Sequence, residues 1–160
     1  MITMLNSDPL YFAYGSNMKV ERLRERIGDF PKPSVGRLPK TRLRFNKLSR
    51  DGSAKANISH DPDCEVWGVV FVVTNEQFAL LDKLEGGYQR RPVNVYLNDG
   101  SMIQAETYSS VKIDDRTLPF ESYKRLVVDG AIEHRLPSAY VRYLSSCPAK
   151  SDEAYTSNVA

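Results

Sequence analysis

The segment from Thr74 to Leu84 and the residue after it place Phe78, Leu81, Asp82 and Glu85 at positions i, i+3, i+4 and i+7, one side of a helical cylinder. Glu85 therefore continues an apolar stripe, where an unpaired charge is costly, and a polar partner is expected to meet it. Its place at the C-terminal end of the helix adds the negative pole of the helix dipole, so burial and dipole both push the carboxyl's pKa upward. A carboxylate shifted that way is suited to take up and return a proton near neutral pH. The alternative is a solvent-facing terminal glutamate paired with Lys83, Arg90 or Arg91.

A second stretch with chemical potential is Tyr11-Phe12-Ala13-Tyr14-Gly15-Ser16-Asn17. A strand that ends in glycine and runs into a helix leaves backbone N–H groups pointing outward without partners. Gly15 allows close approach of a ligand, and Ser16 and Asn17 are cap types that can also donate, so the turn could hold a carboxylate or a developing oxyanion. The plainer alternative is a capped helix following a core strand. Neither G-x-x-x-x-G-K nor G-x-G-x-x-G occurs, and nucleotide binding is not supported. Ser16 lacks a G-x-S-x-G setting and neither cysteine has an activating context, so no covalent intermediate is expected. His60 and His134 stand alone, without paired metal-ligand spacings, and no metal is expected.

The elements that must position these residues belong to a chain of ordinary globular make-up. Of 160 residues 41% are hydrophobic and 26% charged, which argues against a disordered or low-complexity chain. A net charge of +2 is too small to assign the protein to nucleic acid or an anionic membrane, so a partner must be read from a local site. The basic strand residues Lys40, Arg42, Arg44 and Lys47 are read as a solvated face and not as a nucleic-acid surface. Val69 to Val73, the longest apolar run, is far short of a membrane span. Met1 to Leu10 has neither basic residues nor a long apolar core, which argues against a secretory signal and for the cytoplasm. Cys64 and Cys147 are expected as free thiols there.

Leu10–Tyr14 reads as a strand, followed by a tight turn and a helix that Gly28 stops. Val35–Leu48 reads as a strand with one basic face, and Glu65–Val73 as a strand covered on both faces. Thr74 and Gln77 are spaced as a capping box, opening the short helix that carries Glu85, with Gly86-Gly87 as its stop. Pro92–Leu97 and Met102–Tyr108 flank Asp99-Gly100, a hairpin signal. Phe120–Ile132 and Ser138–Leu144 have helical spacing, Pro137 entering the last. The sum is one α+β domain over residues 1–148, with 149–160 read as a mobile tail.

With these residues in view, Tyr11 to Met18 resembles the N-terminal signature of the γ-glutamylcyclotransferase family. Glu65-Val66-Trp67-Gly68-Val69-Val70, then Leu81-Asp82-Lys83-Leu84-Glu85-Gly86 and Tyr88 with Val93 and Val95, resemble its next blocks in the same order. Tyr123-Lys124-Arg125 through Gly130-Ala131, then Leu136-Pro137 and Tyr140, is similar to its C-terminal helical block, so the likeness spans roughly Leu10 to Leu144. The resemblance implies a small mixed β-barrel flanked by helices, and cofactor-free release of 5-oxoproline from γ-glutamyl amino acids. It implies Glu85 as catalytic acid/base, Tyr11 through Ser16 as the loop holding the γ-glutamyl part with Asn17 beside it, and Tyr88, Tyr108 and Tyr123 near the pocket. The tyrosines could equally be core or helix packing. The implied partner is a small γ-glutamyl substrate, taken by a monomer or homodimer. Gly87 alone stands where longer members have an extended loop beside the leaving amino acid. The leaving group is therefore open: a γ-glutamylamine cyclotransferase, a tailoring enzyme that removes a γ-glutamyl protecting group, and a non-enzymatic binding module are the rival expectations.

Overall fold

A computed structural model of the chain describes residues 8–152. The signal-peptide reading of Met1 to Leu10 falls mostly on residues 1–7, outside the described ones. Five strands close into a barrel in the order β1-β3-β2-β4-β5. They are β1 (Leu10–Ala13), β2 (Ser34–Leu48), β3 (Ala54–Val72), β4 (Gln89–Leu97) and β5 (Met102–Ser109). Neighbours pair antiparallel except β1 and β5, whose parallel register of Tyr11 with Glu106 closes the ring and makes the barrel mixed. That seam is short, and side chains reinforce it: Thr107 Oγ1 donates to the Phe12 carbonyl (2.7 Å) and Tyr14 Oη to the Tyr108 carbonyl (2.5 Å). The helices are α1 (Val20–Ile27), α2 (Asn75–Leu84), α3 (Glu121–Glu133) and α4 (Ser138–Ser146), with a 3₁₀ turn at Ser16–Met18.

Alternation builds the interior. Phe12, Val66, Val69, Phe71 and Val95 are fully enclosed, and Gly68 through Phe71 are buried on both faces as the apolar run requires. Gly68 has no alternative: a Cβ there would sit 2.5 Å from the Ala13 carbonyl oxygen. Asp99-Gly100 joins β4 to β5 as its composition suggests, Gly100 taking φ 88°. α2 carries the full capping box, with Thr74 Oγ1 accepting from Gln77 N–H (3.0 Å) and the Gln77 side chain accepting from Thr74 N–H (2.9 Å).

Two differences from the sequence reading shape the site. β3 begins at Ala54, eleven residues before Glu65, and pairs with β2 out to Leu48↔Ala54. The segment alternates only over Ala54, Ala56 and Ile58, with small side chains, and turns polar beyond, but its long-range partner supplies the pairing. The ribbon bends at bulges between Pro39 and Thr41 and between Phe45 and Lys47, the first with Lys40 at φ 55°. Second, Ser16 and Asn17 do not cap a helix. They form the 3₁₀ turn, and α1 starts only at Val20. α3 holds this turn: Gly130 lies against Met18, His134 Nε2 meets the Met18 carbonyl (2.6 Å), and Glu133 accepts from Val20 N–H (3.1 Å). At the other terminus, Lys150 N–H donates to the Pro119 carbonyl (2.8 Å) and its own carbonyl accepts from Glu121 N–H (2.9 Å), so the first part of the expected tail is tied to α3. Residues 153–160 lie outside the described ones.

Candidate active site

Glu85 is the residue after α2, its N–H bonded to the Leu81 carbonyl (2.8 Å) and its own carbonyl accepting from Tyr88 N–H (3.2 Å). Its side chain retains 16% exposure, against 44% for Asp82 one turn earlier. Asp82 accepts from Tyr108 Oη (2.6 Å) and lies 3.6 Å from Arg90. Glu85 turns the other way, toward the Gly15 turn, and meets Asn17. The Asn17 amide is a hub: Nδ2 donates to Glu85 Oε1 (3.0 Å) and to Tyr11 Oη (2.9 Å), and Oδ1 accepts from Arg26 (2.8 Å). Arg26 also stands 3.7 Å from Glu85 Oε1. One carboxylate oxygen is thus anchored, while Glu85 Oε2 has no hydrogen-bond partner among the described residues. The alternative pairing fails, because Arg90 serves Asp82 and Glu106, and Arg91 donates to Ser109 Oγ.

Glu85 opens into a cavity of about 190 Å³. Tyr14, Gly15 and Ser16 form one wall, Lys47, Lys55 and Ala56 of the β2–β3 ribbon a second, and Tyr88, Tyr108 and Tyr123 close it. The intrahelical bonds of the 3₁₀ turn begin with Met18 N–H on the Gly15 carbonyl (3.1 Å). The N–H groups of Gly15, Ser16 and Asn17 precede that first bond and are free of the helix's own ladder. Ser16 Oγ accepts from Arg22 Nε (3.0 Å). Both backbone polar groups of Ala56 are held by phenols: Tyr123 Oη accepts from its N–H (3.1 Å) and Tyr88 Oη donates to its carbonyl (2.6 Å).

Burial raises the Glu85 pKa above the usual carboxylate range, and Arg26, the Asn17 amide, Arg22 and Lys47 hold it back. Burial also raises Tyr11, Tyr14 and Tyr88, with the Glu85 charge adding to each, and pushes Tyr123 up to about 12. The phenols therefore stay protonated near neutral pH, and the carboxyl is the acidic group whose titration moves toward it. Lys47 is lowered by burial; its Nζ donates to the Gly86 carbonyl (2.8 Å) and lies over the Tyr88 ring. Arg22, Arg26, Lys47 and Lys55 against the single acid Glu85 make the cavity electropositive, a setting for an anionic ligand. No three His, Cys, Asp or Glu side chains gather as a cation site among the described residues.

The structure brings Glu85, Tyr11, Tyr14, Gly15, Ser16, Asn17, Tyr88, Tyr108 and Tyr123 to one cavity. Phe12 and Ala13 are a correction: both are buried in the barrel, at 0% and 1% exposure, and neither lines the cavity. They are the paired, interior part of β1, registered on Val70 and Val69, and the site begins where that pairing ends. Sequence reasoning missed Arg22 and Arg26, although their i, i+4 spacing just after the amide-rich turn sets both on one helix face. Lys55 and Ala56 belong to the unforeseen half of β3. Lys47, read as part of the solvated basic face, is instead 7% exposed beyond the second bulge.

Comparison with known proteins agrees with the barrel fold. The model of the AIG2-like family matches residues 65–144. The chain is 34% identical over 146 residues to the γ-glutamylcyclotransferase of Bos taurus, covering 86% of this chain and 77% of the bovine protein. It is 32% identical over the same length and coverage to that of Homo sapiens. A solved γ-glutamyl cyclotransferase structure superposes with a TM-score of 0.83 at 29% identity, covering 96% of this chain and 98% of that one. On the strength of that barrel and that degree of identity, the chain belongs to the γ-glutamylcyclotransferase family of enzymes.

Proposed function

We propose that the protein releases 5-oxoproline and a free amino acid from γ-glutamyl amino acids, with Glu85 as acid and base. The observation that carries the reading is the Glu85 carboxylate, anchored through Oε1 on Asn17, with Oε2 unengaged at a cavity whose other wall is the Gly15–Asn17 turn. A γ-glutamyl amino acid carries a net negative charge, which suits the four cations. Its α-carboxylate would lie toward Arg22, Arg26 and the turn amides.

In this reaction Glu85 takes a proton from the substrate's α-ammonium, and the freed amine attacks its own γ-carbonyl carbon. The five-membered ring forms as a tetrahedral adduct, whose oxyanion is suited to the N–H groups of the turn. Glu85 returns its proton to the leaving nitrogen as the old C–N bond breaks, and the remaining ammonium proton leaves for solvent. Holding the glutamyl chain folded is an orientation effect that can supply up to about 7–11 kcal/mol in favourable intramolecular cases. The phenols, with the hydroxyls of Tyr14, Tyr88 and Tyr123 held on backbone groups and those of Tyr11 and Tyr108 on the Asn17 and Asp82 side chains, shape the chamber that does this. The free thiols Cys64 and Cys147 agree with a reducing, cytoplasmic setting.

The test is product identification by mass spectrometry over γ-glutamyl-alanine, γ-glutamyl-lysine and a γ-glutamyl amine. Stoichiometric 5-oxoproline from the amino-acid conjugates supports the reading, turnover of the amine alone moves the enzyme to the γ-glutamylamine class, and no 5-oxoproline from any of them overturns it.

A further inference from the structure

Beside the cavity, and sharing Lys47, Ser49, Leu84 and Gly86 with it, lies a second cleft of about 650 Å³. Its basic lining is Lys47, Arg50, Lys83 and Lys112, and no acidic side chain lines it. None of the four cations has an ion pair within 4.0 Å among the described residues, whereas Arg37 and Lys55 elsewhere each have one and Arg24 and Arg90 each have two. Lys112 is near enough to Lys47 for their charges to repel. Gly86, which lines both spaces and whose carbonyl takes the Lys47 Nζ bond, leaves the boundary open on its own side, where a Cβ would meet nothing within 4 Å. Leu48 and Leu84, about half exposed, add an aliphatic lining.

The position of this cleft follows from the chemistry of the cavity. The leaving nitrogen must come within reach of Glu85 to receive its proton, so the rest of the leaving group emerges beside Leu84 and Gly86. Lys47, on the boundary, is within reach of a carboxylate emerging there. Arg50, Lys83 and Lys112 lie further out and remain unneutralised.

We propose that this cleft is the leaving-group site and that it selects an amino acid with a second, side-chain carboxylate, as in γ-glutamyl-glutamate. The inference rests on the cyclisation reading above, and names the class of conjugate that reading leaves open. Leu48 and Leu84 would cover the methylenes, and the outer cations the distal charge.

The test compares kcat/KM for 5-oxoproline release from γ-glutamyl-glutamate and γ-glutamyl-alanine, in the wild type and in a protein combining Arg50→Ala, Lys83→Ala and Lys112→Ala. These exposed side chains are not part of the fold's core, and the three single variants provide the same comparison if the combined one melts early. A preference of about tenfold for the dicarboxylate, carried by KM, is expected from partly screened charge pairs. It falls toward parity in the triple variant and at about 1 M salt, where the screening length is ~3 Å, while γ-glutamyl-alanine kinetics hold in the triple variant. Equal values in the wild type, or a preference that survives the triple variant, overturn the proposal while the cyclisation stands. No 5-oxoproline from either conjugate overturns the proposal together with the amino-acid reading, and a γ-glutamyl amine assayed alongside then shows whether the cyclisation itself stands. Binding to phosphatidylserine vesicles that the triple variant loses, with no dipeptide preference, would assign the cleft to an anionic surface and also overturn it.

Discussion

The barrel interior and the cavity are built from the same strand, and they solve opposite problems. Along β1, Phe12 and Ala13 are sealed among Val69, Val70 and Phe71, with backbone groups paired across the sheet. Two residues later Gly15 enters a space lined by charges and phenols. In the barrel close packing decides everything, and Gly68 survives because a methyl group has no room there. In the cavity polar groups are left over for a ligand: the N–H groups of the Gly15–Asn17 turn and one oxygen of Glu85. Asp82 and Glu85, one turn apart, each have a single oxygen engaged, Asp82 Oδ1 by Tyr108 and Arg90 and Glu85 Oε1 by Asn17 and Arg26, and what separates them is burial, 44% against 16% exposure. A site of this kind spends stability that the barrel supplies, and the comparison can be broken from either side.

The largest effect belongs to Glu85→Gln, which keeps shape and removes basicity. 5-Oxoproline release should fall at least about a hundredfold in a folded protein; a near-normal kcat would remove Glu85 from the chemistry. Gly68→Ala attacks the other region. Its Cβ would press on the Ala13 carbonyl at 2.5 Å, a backbone atom that cannot swing aside, so urea unfolding should show a loss of about 1–3 kcal/mol. Activity per folded molecule should be retained, because the overlap lies in the barrel. An unchanged denaturation midpoint would contradict the packing argument.

Gly15→Val comes next. A Cβ at Gly15 would meet Ala56 Cβ at 3.4 Å and Tyr123 Oη at 3.5 Å, ordinary contacts, so alanine is tolerated and the branched methyls of valine crowd the turn. KM should rise by roughly tenfold with melting little altered; unchanged kinetics would count against the turn as a substrate wall. The smallest effect is on stability. Below the ordinary carboxylate pKa both folded and unfolded chains hold the Glu85 proton, and the residue costs nothing. As pH rises through its raised folded value, the fold carries a charge that the unfolded chain hosts more readily, and stability is lost. Glu85→Gln should therefore melt slightly higher than wild type at neutral pH, the gap closing in acid. A gap that widens in acid would reverse the sign of the shift.

Much of this contrast is legible in the order of the residues, because local signals encode it. Thr74 and Gln77 announce α2, the stripe Phe78, Leu81, Glu85 marks an acid on an inward face, and Asp99-Gly100 turns β4 into β5. What escapes is set by distant partners. Residues 54–64 alternate too weakly to read as a strand, and only β2 makes them one. A single β1–β5 register closes the barrel between residues far apart in sequence. Ser16 and Asn17 have the composition of caps, but α3 clamps their neighbour Met18 and Asn17 is taken by Tyr11, Glu85 and Arg26 instead. Phe12 and Ala13 share a motif with Gly15 and so look like site residues, although strand pairing draws them into the core.

The most direct test is the pH dependence of kcat/KM for 5-oxoproline release, set beside the residual rate of Glu85→Gln. With an enclosed carboxylate as the base, the wild-type acid limb should have its midpoint above the usual carboxylate range, since burial outweighs Arg26 and Asn17, and the limb should vanish in the variant. A limb at or below that range, or one that persists after the substitution, would contradict Glu85 as the proton carrier.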